Sequence, residues 1–100
     1  MAYSKSTDVL RLGDDYESIT VTGTAIGCTT AKAIKAERAL VTVEAGQIRF
    51  RYDGGDPTST EGHLASSGDT WIIEGTEDIK QFRAIRADTS DSTLRVTYEV

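Results

Sequence analysis

The chain has 100 residues, of which 11 are basic and 16 are acidic, and its net charge is −5. This balance argues against a nucleic-acid partner, because phosphate backbones are bound by clusters of Lys and Arg. The single cysteine, Cys28, excludes an intrachain disulfide, and no apolar stretch of about 18 residues predicts a membrane span or a membrane partner. We therefore expect one soluble domain, residues 1–100, that folds in a cytoplasm.

The first third of the sequence predicts a polar arm and two short strands. Residues 1–8 are polar and predict a flexible N-terminal arm, and "VLRLG" (9–13) predicts a first strand. We expect "DDYE" (14–17) to interrupt the pattern. In "SITVTG" Ile19 and Val21 alternate with Ser and Thr, which predicts a half-buried strand.

The segment "TTAKAIKAERAL" is ambiguous between helix and strand. Its Ala, Lys, Glu and Arg residues favour a helix, but Ile34 and Leu40 are its only large apolar residues. Two such residues are too few to anchor a free amphipathic helix. The segment therefore predicts at most one short helical element, a turn or two around residues 35–38, which leads into a strand.

The most regular alternation surrounds "GQ" and predicts a hairpin. The run "ALVTVEA" precedes this two-residue link and "IRFRYD" follows it, which is the pattern of two antiparallel strands joined by a tight turn. Arg49 and Arg51 fall on the outer face of the second strand, because side chains two residues apart point the same way. The predicted core-facing residues are Val41, Val43, Ile48, Phe50 and Tyr52.

The C-terminal half predicts further short strands. "TWIIEG" places Trp71 and Ile73 on the core side, and the terminal "STLRVTYEV" alternates apolar with polar residues. "IKQFRAIRA" has apolar residues at helical spacing, but the alternation of Phe82 with Ala84 favours a strand. Seven to eight short strands separated by turn signals predict an all-β fold, an antiparallel β-sandwich or a jelly-roll-like arrangement.

The stretch "RYDGGDPTSTEGHL" (51–64) contains the only Pro and the only His. Asp53, Asp56 and Glu61 are candidate oxygen ligands for Ca²⁺, although their spacing matches no EF-hand loop. A structural turn is the favoured interpretation. Asp53 followed by Gly54 suits a turn with positive φ, and Pro57 restricts its own φ and donates no backbone hydrogen bond.

Catalytic chemistry has little support in the sequence. His63 has no accompanying nucleophile motif such as GxSxG and too few companions for a zinc site. It is expected to cap or pack the loop. Cys28 lies among small residues without a basic neighbour, which predicts an unreactive buried thiol. We expect no enzyme activity, no metal and no cofactor.

Three arginines are candidates for an interface. Arg49 and Arg51 share one strand face, and Arg95 points outward from the last strand. If these strands belong to one sheet, the arginines form a face that can dock on an acidic surface of a neighbouring subunit. The alternative is an ordinary solvated face, with the charges offset by Glu44 and Glu99.

Aromatic residues suggest an alternative function of another class. Tyr52 and Trp71 together can form a sugar-stacking platform, which makes a carbohydrate-binding β-sandwich module the rival hypothesis. Their place in the alternation favours core packing instead.

Four short motifs in the last two thirds of the chain suggest a family. They are "IRFRYDG", then "DPT" followed by "EGH", then "FRAIR", and a terminal "LRVTYE". This spaced pattern, between Glu37 and Val100, resembles small proteins encoded among the virion genes of tailed bacteriophages. The resemblance implies that Gly54, Pro57 and Gly62 set the backbone path of a hairpin connection.

The resemblance also implies a role. It suggests a non-enzymatic, all-β structural subunit of the virion that is made in the host cytoplasm. A capsid decoration or cement protein is the main expectation, and a head-tail connector or tail accessory component is the alternative. The implied partners are the major capsid protein or other virion subunits, together with further copies of this chain. No cofactor and no catalytic residue follow from it.

Overall fold

The computed structural model describes residues 12–100 and places them in eight strands and two short helices. The predicted arm over residues 1–8 and most of the strand predicted over residues 9–13 lie outside this range. The strands are β1 (Gly13–Val21), β2 (Ile26–Gly27), β3 (Arg38–Ala45), β4 (Gln47–Arg51), β5 (His63–Ser66), β6 (Thr70–Glu74), β7 (Arg83–Arg86) and β8 (Ser92–Glu99). The helices are α1 (Thr30–Ala33) and α2 (Thr76–Gln81).

The strands form two antiparallel sheets that enclose one apolar core. The first sheet has the order β1-β8-β3-β6 and the second the order β2-β7-β4-β5. This confirms the predicted all-β sandwich. The alternating residues of β1, β3 and β8 face the core as predicted, and the second sheet adds its own inward side chains. Fully buried examples are Val21, Val41, Val43, Leu94 and Val96 from the first sheet and Ile48 and Ala84 from the second.

Strand β1 is longer than predicted. Residues 14–17, expected to interrupt the pattern, lie within β1: residues 15–17 pair with β8, and Asp14 lies at a register shift between Gly13 and Asp15. An irregularity of this kind lets a polar, poorly alternating stretch continue along the sheet.

The predicted hairpin around Gly46 is wrong, although both of its strands exist. Strand β3 pairs with β6 and β8, whereas β4 pairs with β5 and β7. Gly46, with φ of 79°, carries the chain from the first sheet to the second. The alternation predicted which side chains face the core, but it could not distinguish a strand beside β3 from a strand across the core from it.

Both helices differ from the sequence prediction. Helix α1 ends at Ala33, before the predicted residues 35–38, and Ala33 is its buried residue. Ala36, in the segment that follows the helix, is also almost fully buried. Small residues allow a short helix to approach the sheets closely without large apolar side chains. Ile34, the large apolar residue of this segment, is 56% exposed.

Helix α2 occupies the first part of the segment predicted as a strand. Glu77 and Asp78 lie in its first turn and Lys80 in its last turn, which matches the charge preference of the helix dipole. Ile79 is its buried residue, and the chain turns extended at Phe82 before β7 begins. The segment thus contains a helix and a strand, each using part of the apolar pattern.

Candidate functional site

The loop between β4 and β5, residues 52–62, is held by two arginines. Arg51 donates hydrogen bonds from Nε and Nη2 to the two carboxylate oxygens of Asp53, at 3.0 and 2.8 Å. Its Nη1 donates to the carbonyl oxygen of Asp56 at 3.3 Å. Arg49 donates from Nη1 to the carbonyl oxygen of Gly62 at 3.2 Å. The strand thus supplies the donors, and the loop is folded back over them.

The backbone and charges of this loop suit a structural turn. Gly54 and Gly62 have φ values of 94° and 129°, a region that side chains rarely tolerate, and Pro57 is buried. The hydrogen bonds from Arg51, with a further one from the backbone N–H of Gly55, lower the pKa of Asp53 to about 2. Among residues 12–100, no group of three or more Asp, Glu, His or Cys side chains is placed to hold a metal ion.

The three interface arginines do not form one face. Arg49 and Arg51 lie in the second sheet, whereas Arg95 lies on β8 of the first sheet. Arg95 instead makes a surface network, with Nη1 donating to Ser18 Oγ at 2.5 Å and Nε lying 3.4 Å from Glu44 Oε1. The predicted shared surface depended on a strand order that the fold does not have.

An aromatic groove opens between the two sheets at the edge formed by β5 and β6. We use this name for a cavity of about 420 Å³ whose walls come from the β4–β5 region, from β6 and from α2. Its lining residues are Phe50, Tyr52, His63, Trp71, Ile72, Ile73, Glu74 and Asp78.

The rings of the aromatic groove form a continuous row. Phe50 stacks on Trp71 with centroids 4.6 Å apart and planes 10° apart. His63 lies 5.3 Å from Phe50 and 6.2 Å from Tyr52. Behind the row, the buried ring of Phe82 supports Phe50 and Trp71. Contacts of this kind fix ring orientation at centroid distances of roughly 4.5–7 Å.

The aromatic groove is lined by two carboxylates, those of Glu74 and Asp78. Glu74 Oε2 lies 3.5 Å from Arg38 Nη1, while Arg38 also donates from Nε to the buried Glu99 at 3.0 Å. Asp78 is half-buried, and its carboxylate makes no hydrogen bond or ion pair with any other residue of the range 12–100. Apart from His63, no lining residue is basic.

Sequence reasoning missed this groove. Trp71 packs against the core as expected, but Tyr52, predicted to face the core, follows the end of β4 and is 45% exposed. His63, expected to cap or pack the loop, contacts the rings of Phe50 and Tyr52, of which Tyr52 belongs to the loop of residues 52–62. The available signal was the aromatic residues themselves: Phe50 and Tyr52 alternate in "IRFRYD", and His63 and Trp71 follow in the next twenty residues. Nothing in the sequence indicated that Asp78 would lie beside them.

A second polar cluster ties β1, β8 and the start of α1 together. Tyr98 donates a short hydrogen bond from its hydroxyl to Glu17 Oε2, and Thr29 donates to the same carboxylate from its backbone N–H at 3.0 Å and from Oγ1 at 2.7 Å. Burial raises the pKa of Glu17, but these hydrogen bonds outweigh it, so the pKa of Glu17 is lowered. Burial likewise raises the pKa of Cys28 beside them, which disfavours its thiolate.

Replacing Tyr98 by Phe tests this cluster. We expect the free energy of unfolding at pH 7 to fall by about 1.5–3 kcal/mol, because a hydrogen bond to a charged group is lost. A carboxylate with a lowered folded pKa stabilises the fold above its unfolded pKa of about 4.3 and loses that contribution as the pH falls through the folded value. Urea unfolding of Tyr98→Phe and wild type should therefore converge in acid.

The matched control for this variant is Tyr16→Phe, which removes an exposed hydroxyl from the neighbouring strand β1. It should change stability little at any pH. A Tyr98→Phe deficit that stays constant from neutral to acid pH would contradict a role for ionised Glu17.

Comparisons with known proteins add fold information. No protein-family model matches the chain, and no curated protein matches it. The crystal structure of an unknown-function protein from Vibrio parahaemolyticus (VPA0057, targeted domain 2–94) is similar, with a TM-score of 0.51 and 15% sequence identity over 88% of this chain and 84% of that one. At this identity the likeness shows the fold alone. No helix within residues 12–100 is long and apolar enough to cross a membrane.

Proposed function

We propose that this protein is a non-enzymatic structural subunit of a tailed-bacteriophage virion, in the manner of a capsid decoration or cement protein. The proposal starts from the spaced motifs that resemble small virion proteins. It assigns the protein to the particle, with the major capsid protein or other virion subunits and further copies of this chain as partners. A head-tail connector or tail accessory component is the variant of the same proposal.

The observation that supports the proposal is that three of these four motifs meet at one loop, while the fourth, "LRVTYE", lies in β8 of the other sheet. Arg51, from "IRFRYDG", holds Asp56 of "DPT" through its carbonyl oxygen, and Arg49 holds Gly62 of "EGH". Arg83, from "FRAIR", places its Nε 4.0 Å from Asp56 Oδ1. Residues as distant in sequence as Asp56 and Arg83 are therefore in contact, as expected if the three motifs shape one loop rather than a catalytic site.

A subunit of this kind would work by contact rather than by turnover. A two-sheet sandwich supplies rigid faces, and its loop of residues 52–62 is fixed by internal hydrogen bonds before any partner arrives. Such preorganisation reduces the conformational entropy lost on docking. The net charge of −5 favours partner surfaces that carry basic residues.

The decisive test is the copy number of this chain in purified particles, measured by quantitative mass spectrometry against the major capsid protein. A ratio near one, or a simple fraction of it, is the expected result for a decoration protein. A dozen or so copies would place the chain at the neck or tail and support the variant. Absence from the particle would overturn the proposal.

A carbohydrate-binding module is the second candidate, and the aromatic groove is the observation that favours it. Tyr52 presents an exposed ring beside His63 and Trp71. Against it, Phe50 and Trp71 stack face to face, which removes one face of each ring from use by a sugar. Glycan-dependent changes in the emission of Trp71, the only tryptophan, would support this candidate.

A further inference from the structure

We propose that the aromatic groove receives an arginine side chain from a neighbouring virion subunit. This inference rests on the structural role proposed above and names the chemistry of the contact. It is argued from the row of rings, from the carboxylates at the groove, and from the lack of a partner for one of these carboxylates among residues 12–100.

The first element is a carboxylate that has no partner within residues 12–100. It belongs to Asp78, which is half-buried at the groove. Its neighbour Glu77 is already paired with Lys80 at 3.1 Å, and Glu74 shares Arg38 with Glu99. A carboxylate that is partly removed from water and lacks a partner gains most from a cation.

The second element is the aromatic wall beside that carboxylate. Tyr52, His63 and Trp71 line the same cavity as Asp78, and Tyr52 is 45% exposed. A cation over an aromatic face is attracted by the negative face of the ring. Rings and carboxylates together therefore favour a cation over a neutral or anionic group.

Arginine fits this combination better than lysine does. Its planar guanidinium stacks on rings and pairs with carboxylates through two donors at once, and it is less strongly hydrated than an ammonium group. The cavity of about 420 Å³ is open between the sheet edges, so a side chain projecting from a partner's surface can enter. Its lining supplies a net negative charge from Glu74 and Asp78, which complements that side chain.

The experiment uses the full chain at pH 7.5 and a pair of matched probes. The tripeptide Ac-Gly-Arg-Gly-NH2 is titrated against its neutral counterpart with citrulline, which has nearly the same shape. Trp71 emission and two-dimensional NMR shifts report binding. We expect weak, salt-sensitive binding of the arginine probe, with the shifts centred on Tyr52, His63 and Asp78, and no comparable effect of the citrulline probe.

Variants locate the contact. Asp78→Asn should weaken binding of the arginine probe by about three- to fivefold, as expected for a surface-accessible ion pair, and Tyr52→Ala should weaken it through loss of the ring. Glu77→Gln, on the same helix but outside the groove lining, should leave binding unchanged. Equal binding of both probes, shifts elsewhere on the molecule, or no binding at all would overturn the inference.

Two further measurements, a titration with a glycan and the particle copy number, separate this inference from its alternatives. A response of Trp71 to cellotriose without a response to the arginine probe would overturn it in favour of the carbohydrate candidate. The particle copy number is measured independently of these titrations. If the chain is found in particles but does not bind the arginine probe, only this inference is refuted. If the chain binds the arginine probe but is absent from particles, the virion role is refuted, and with it the identity of the partner.

Discussion

Replacing Phe82 by Ala is expected to lower the free energy of unfolding by about 3–5 kcal/mol, the range for deleting a buried aromatic side chain. Phe82 is fully buried at the junction of α2 and β7. Its ring lies 5.7 Å from Phe50 and 6.4 Å from Trp71, so its removal leaves a cavity beneath the aromatic groove. Chemical denaturation monitored by Trp71 emission and by circular dichroism measures the loss.

Tyr52→Ala is the matched control, because it removes a ring of similar size from the mouth of the same groove. Tyr52 is 45% exposed, and its loss should cost less than about 1 kcal/mol. Phe82→Leu keeps most of the apolar volume, so its loss in the free energy of unfolding should lie between those of Phe82→Ala and Tyr52→Ala. It should remain folded even if Phe82→Ala does not. Equal destabilisation by Phe82→Ala and Tyr52→Ala would mean that the ring row, rather than the buried core, stabilises this edge.

Replacing Gly46 by Ala is expected to destabilise the protein by about 2–5 kcal/mol. Part of the cost, about 1–2 kcal/mol, comes from a left-handed backbone with φ of 79°. The rest, about 1–3 kcal/mol, comes from overpacking, because a methyl group at this position would meet the buried hydroxyl of Ser92. Thermal unfolding should show a large drop, since 1 kcal/mol corresponds to roughly 4–8 °C in a domain of this size.

Gly68→Ala separates the two causes. Gly68 also has a positive φ, 94°, but a methyl group there would meet no atom within 4 Å. It should therefore show the backbone cost alone. If Gly46→Ala and Gly68→Ala lost equal stability, contact with Ser92 would contribute nothing to the effect of Gly46→Ala. The double variant Gly46→Ala/Ser92→Ala provides a further check, since removal of the hydroxyl should relieve the overpacking.

The aromatic groove shows how far the sequence could lead toward a candidate site. The aromatic character of residues 50, 52 and 71 was visible, and so was the possibility of a sugar platform. Their arrangement was not, because His63 and Trp71 come from strands on opposite sheets and Asp78 comes from a helix that the sequence did not predict. Sequence periodicity describes one element at a time, whereas this groove exists only where β4, β5, β6 and α2 meet.

The loop between β4 and β5, residues 52–62, gives a contrasting case. Gly54 and Gly62 adopt the positive φ values that glycine accommodates, and local chemistry in residues 51–64 was enough to favour a turn over a calcium site. The arginines that hold the loop were visible too, but as candidates for an outer interface. Their bonds to Asp53 and Gly62 depend on the loop folding back over β4, which local preference alone does not determine.

By itself, the sequence determined the class of the fold and the inward faces of its main strands. Val41, Val43, Leu94 and Val96 are buried as their alternation requires, because a period of two sends every second side chain to the same face of a sheet. That relation is local, and it holds whatever the strand's partner is.

Only the tertiary structure decided which strands are neighbours. β3 and β4 are separated by Gly46 alone, yet they lie in different sheets. A hairpin and a crossing between sheets bury the same alternating residues, so the hydrophobic pattern does not distinguish them. The choice depends on the turn at Gly46, on the edges that β5 and β6 supply, and on core packing between distant segments. The same choice separates Arg95 from Arg49 and opens the aromatic groove.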